Sequence, residues 1–139
     1  MKKIVSSLSV VALLLVCLLS AGCQAEPQVT GIWADATYTE DTTLGEGATV
    51  LTVVVGAEEK EVTFTINTDK ETVGAALVEV GIVEDADGDG LFTVVNGMTA
   101  DYNVDQTYWA FYENDAYANQ GMNDTAIAAG VTYKLVHSK

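Results

Sequence analysis

The chain has 139 residues, and its 20 acidic side chains against 6 lysines, with no arginine, give it a formal net charge of −14 at pH 7. Phosphate binding needs clustered Lys or Arg, so this composition excludes nucleic acid and anionic lipid headgroups as partners and favours cations. The simpler account of the charge is solubility of a secreted protein.

Lys2 and Lys3 open the chain, an apolar stretch runs from about Ile4 to Leu19, and the small residues Ser20-Ala21-Gly22 precede Cys23. This is a secretory signal, too short for a comfortable membrane span. A cysteine directly after the small residues resembles a bacterial lipobox, although Ser20 stands where such boxes more often carry Leu. Residues 1–22 are then a cleaved leader, Cys23 carries lipid, and 23–30 form a short tether. The predicted address is the outer face of the cytoplasmic membrane, where two or more acyl chains give stable anchoring. The alternative is an ordinary cleaved signal with an incidental Cys23. In either case Cys17 leaves with the leader and no intrachain disulfide can form.

Residues 31–139 suit one domain with a modest core. Ile32 to Thr39 holds a candidate first strand with Trp33 and Tyr38, followed by a Gly-rich acidic stretch from Glu40 to Gly47. In the run Ala48 to Val55, Leu51, Val53 and Val55 share a face, and Val62, Phe64 and Ile66 alternate with Thr63 and Thr65 in the next run. Gly56 to Lys60 is the expected turn between them.

Val73, Ala76, Leu77 and Val80 then recur at helical spacing, giving one apolar stripe for packing on a sheet. Gly81 is a natural stop, and the cap falls between Thr68 and Thr72, with Thr68 and Glu71 at capping-box spacing. Beyond it, Leu91 to Val95 and Met98 to Tyr102 flank Asn96-Gly97, a strong two-residue hairpin signal. Thr107 to Tyr112 is a further strand, Glu113 to Asp115 its turn, and Val131 to His137 the last strand. An initial hairpin, a helix and later strands predict an α+β fold of the ubiquitin-like β-grasp type, a mixed sheet with one packed helix. A β-sandwich is the alternative.

Four segments carry a family resemblance: Thr-Val-Gly-Ala-Ala-Leu at 72–77, Leu-Phe-Thr-Val-Val-Asn-Gly at 91–97, Thr-Ala-Asp-Tyr at 99–102 and Tyr-Trp-Ala-Phe-Tyr at 108–112. Together, from about Ala48 to Lys139, they resemble the small carboxy-terminal β-domain of transcobalamin and intrinsic factor, in the form found on lipoproteins of clostridia and relatives. The resemblance implies a β-grasp-like fold and a domain that covers one face of cobalamin. In the animal carriers a helical barrel supplies the other face, and no segment here corresponds to it. It also implies that the Asn96-Gly97 hairpin and the Asn114-Asp115 turn sit at a ligand rim. The second turn departs from the Asn-Gly common in relatives, yet both residues tolerate the left-handed conformation.

Asp85, Asp87 and Asp89 alternate before Gly90, like the first half of an EF-hand calcium loop. The twelfth position is Asn96 rather than a bidentate glutamate, which rejects a full EF-hand. Two readings stand: a looser calcium site completed by Glu84 or Asp101, with affinity of roughly 0.1 to 1 mM, and a solvated acidic loop. His137 is the sole histidine, so no zinc or haem site is expected.

Tyr102, Tyr108, Trp109, Phe111, Tyr112 and Tyr117 form an aromatic constellation. Alternation puts Trp109 and Phe111 on one face, opposite Tyr108 and Tyr112. One face is core, and the other offers tyrosines to a flat ligand, a glycan or a partner's strand. Trp109 is retained as a ligand candidate beside Tyr108 and Tyr112. Catalysis is not expected, because no base or nucleophile accompanies the acids. The predicted function is a lipid-anchored module binding a small molecule such as cobalamin, another corrinoid or a glycan, with calcium assistance in one version. The alternatives are a structural domain that docks on a surface protein and, less favoured, an enzyme acting on glycans.

Overall fold

The computed structural model describes residues 29–85 and 92–139. The leader, Cys23, Asp87 and Asp89 lie outside the described residues. In chain order the strands are β1 (Thr42–Leu44), β2 (Thr49–Ala57), β3 (Lys60–Thr68), β4 (Val94–Val95), β5 (Met98–Thr99), β6 (Tyr108–Glu113), β7 (Ala116–Tyr117) and β8 (Thr132–Ser138), with helix α1 at Val73–Glu79 between β3 and β4. Six strands make one mixed sheet in the order β1-β3-β2-β8-β6-β7, and β4 and β5 form a separate ribbon.

The alternating apolar residues of β2 and β3 drive the centre of this sheet. Val53 pairs with Phe64 and Val55 with Val62, and all four are buried. Parallel pairing sets Val53 beside Tyr133 and Val55 beside Leu135 of β8, while antiparallel β6 brings Phe111 beside Leu135. The core therefore lies on one face. Val73, Ala76 and Leu77 of α1 and Val95 and Met98 of the ribbon complete it. Thr52, Thr63 and Thr65 point to the opposite face, so the layers are helix and ribbon on sheet rather than two large packed sheets. No described helix is long and apolar enough to cross a membrane.

The structure departs from the sequence reading at several elements. Ile32 to Thr39 is not a strand: Gly31–Asp35 forms a 3₁₀ helix that buries Trp33, whose indole N–H donates to the Ala57 carbonyl at 2.8 Å. The Glu40 to Gly47 stretch contains β1, an edge strand parallel to β3, where Asp41 also accepts from the Thr63 backbone N–H at 2.8 Å. Glu58 and Glu59, with φ of 49° and 65°, make the whole β2–β3 turn, because Gly56 stays in the ladder opposite Glu61. Thr72 is the helix cap, its hydroxyl accepting from Ala75 N–H, and Thr68 is instead buried with its hydroxyl donated to Glu79.

Candidate functional site

A cleft of about 380 Å³ opens where the start of β6 meets the ribbon arms Phe92-Thr93 and Ala100, a single helical turn at Tyr102–Asp105, and the loop at Gly121-Met122. Its size is within the range of small-molecule sites. Phe111 and Met122 are buried at its base, and Phe111 stacks on Tyr133 with ring centroids 5.9 Å apart. Tyr102 and Tyr108 stand at the rim, 65% and 40% exposed. Half-buried Trp109 is held on two sides. Its indole N–H donates to the Thr93 carbonyl at 3.2 Å, and its ring meets His137 edge-on at 5.3 Å.

The helical turn carries two carboxylates, Asp101 in the cleft lining and Asp105 outside it. Asp101 caps it by accepting from Asn103 N–H at 2.9 Å, and Gln106 closes it in the left-handed conformation with φ of 64°. Asp105 accepts from the Thr107 hydroxyl and from its backbone N–H. The hydroxyl's bond above all holds the Asp105 carboxyl below the ordinary aspartate range; desolvation opposes it, and the backbone bond, His137 and Lys139 add weaker lowering effects.

Of the sequence candidates, Tyr108 and Trp109 line this cleft. Asn96 and Gly97 do not. Asn96 is fully buried, accepting from Tyr38 N–H at 2.9 Å and donating its side-chain amide to the Tyr38 carbonyl at 2.8 Å. Gly97 sits at φ 80°, where a Cβ would fall 2.5 Å from the Asp35 carbonyl oxygen. The hairpin turn therefore clasps the N-terminal segment, and the opposite end of the ribbon faces the cleft. Tyr112 packs edge-on against Tyr117 at 5.4 Å, and Asn114 accepts from the Thr132 backbone N–H at 2.9 Å, tying the β6–β7 turn to the start of β8.

Phe92, Tyr102 and Met122 were not singled out as ligand contacts from sequence. Tyr102 belonged to the aromatic constellation and was the one legible signal. Asp85 bonds to the Asn123 side-chain amide at 3.3 Å, and its companions Asp87 and Asp89 lie outside the described residues. Among the described residues no three His, Cys, Asp or Glu side chains converge as a metal-holding group.

No family model and no curated protein matches the chain. Solved structures do match. A proposed metal-binding protein from Ruminococcus gnavus, 23% identical, superposes with a TM-score of 0.60 over 66% of this chain and 98% of its own. Haptocorrin in complex with Cbi, 16% identical, superposes with a TM-score of 0.51 over 66% of this chain and 25% of its own. The chain thus shares a fold with both and spans about a quarter of haptocorrin. The link to the transcobalamin family is distant and structural.

The cleft and the start of the described chain lie at one end of the sheet. Gly31 abuts Glu58 at the β2–β3 turn, Gly56 pairs with Val136, and Tyr108 pairs with Ser138. β2 and β6 are two strand spacings apart across β8, on the order of 10 Å.

Proposed function

We propose that this chain is a lipid-anchored extracytoplasmic binding module that holds a small molecule in the Tyr108–Trp109 cleft, with a corrinoid as the first candidate and a glycan as the second. The observation that carries the reading is the cleft itself, an apolar aromatic hollow with exposed tyrosines at its rim. The shared fold with haptocorrin, solved with Cbi, supports the corrinoid candidate. A β-grasp is the finer description we adopt for that fold: the first strand of the initial hairpin runs parallel beside the last strand, and the helix crosses the core face.

Lipid on Cys23 would tether the domain through residues 24–30, which reach at most roughly 25 Å. They join the domain at the cleft end of the sheet, so the site would face the bilayer and any transporter in it. The Asp85, Asp87 and Asp89 loop is the proposed calcium ligand set, a reading supported by its alternate spacing and by the name given to the Ruminococcus gnavus protein. The function requires no catalytic step.

Calorimetric titration of residues 23–139 with cobalamin in millimolar calcium, repeated after chelation, tests this reading. Micromolar binding is expected, with weakening on chelation if the aspartate loop contributes. Absence of heat with cobalamin and with a glycan panel would overturn it.

A second reading has its own observation. β7 pairs only with Tyr112 and Glu113, so Tyr108 to Ala110 have no strand on that side among the described residues. An extended segment of a surface protein can add there by strand pairing. Capture of such a partner without any small ligand would favour it.

A further inference from the structure

We infer that the ligand of the Tyr108–Trp109 cleft is an organic cation with an apolar body. The inference rests on the small-molecule reading above and narrows its chemistry to cationic ligands, which favours a positively charged corrinoid form over a neutral glycan. Aromatic residues are the commonest type in the walls: Phe92, Tyr102, Tyr108 and Trp109 line the hollow together with Phe111. An aromatic face carries negative quadrupolar charge and attracts a cation within about 6 Å of its centroid. The chain already makes this contact once, with the Lys60 ammonium 4.8 Å from the Trp33 ring centroid.

Asp101, whose Oδ1 caps the helical turn, is a lining residue, and no Lys or His is. The nearest bases stand outside it. His137 packs edge-on with Trp109, and it and Lys139 attract the Asp105 carboxylate. Around the cleft, the field of a chain with formal charge −14 lowers the local concentration of anions and raises that of cations. A neutral apolar ligand would gain the ring area alone. A cation also gains attraction from the ring quadrupoles, from Asp101 and from the field.

The test compares choline with 3,3-dimethylbutanol, its neutral isostere of nearly equal shape, on residues 23–139. Binding is read by Trp109 fluorescence, with Trp109→Phe showing what remains from Trp33. Choline should bind more tightly by roughly 2- to 30-fold, the span of exposed to desolvated cation–π contacts, and the preference should shrink as salt rises. Asp101→Asn keeps a good helix cap and should lower the ratio of choline affinity to alcohol affinity. Tyr108→Ala should weaken both probes.

Equal binding of choline and the alcohol would overturn the charge assignment and leave the cleft a small-molecule site. Binding of a corrinoid or glycan with no response to choline would also overturn it while preserving the broader reading. No response to any of these ligands would remove both.

Discussion

Asn96 shows how one residue serves two structural purposes. Its positive φ of 52° forms the hairpin turn that the Asn-Gly pair predicts, while its amide replaces a strand partner for the Tyr38 backbone. Asn96→Ala would keep neither bond and leave the part-buried N–H and C=O of Tyr38 without these partners, a loss of about 1 to 3 kcal/mol measurable by urea unfolding. An unchanged midpoint would show that the clasp contributes nothing. Sequence could show the turn but not the clasp, because Tyr38 is 58 positions away and no local pattern links the two. Asp105 gives a pH prediction. Its folded pKa lies below its unfolded one, so its contribution to stability is present above the ordinary aspartate range and is lost as pH falls through the lowered folded value. Thr107→Val removes the hydroxyl donor and should make the unfolding midpoint less sensitive to acid over that window.

At the scale of elements, legibility followed apolar periodicity. β2, β3, β8 and the stripe of α1 were readable because burial on one face forces period two or period 3.6. β1 was not, since three edge residues with one large apolar side chain carry no period. The Trp33 segment was misread as a strand because its aromatics suggested one. Its backbone groups are satisfied instead by a 3₁₀ turn and by Asn96. The helix cap required knowing that Thr68 is drawn into the core. Thr72→Ala should cost about 1 kcal/mol. Gly74 is a sharper test, because a Cβ there would lie 2.1 Å from the Asn123 side-chain oxygen, beside the Met122 floor of the cleft. Gly74→Ala should therefore lower the melting temperature and weaken ligand binding together. A stable variant with full affinity would separate the helix from the site.

For the whole molecule, one sheet face makes the core and one sheet end gathers the aromatics of the cleft on the same side as Gly31 and the β2–β3 turn. The sequence announced the aromatic cluster but misplaced its companions. It grouped Asn96, Gly97 and Asn114 with Tyr108, whereas the ribbon turns its other end to the cleft and Asn114 holds the start of β8. Only the three-dimensional path of the ribbon separates these groups. The central claim is that this cleft, and no other surface, receives the ligand. Backbone NMR of labelled residues 23–139 titrated with cobalamin tests it most directly. Chemical-shift changes concentrated at Phe92, Tyr108, Trp109 and Met122, and absent in Trp109→Ala, are the predicted result. Changes confined to the threonine-rich sheet face or the β2–β3 turn would contradict it.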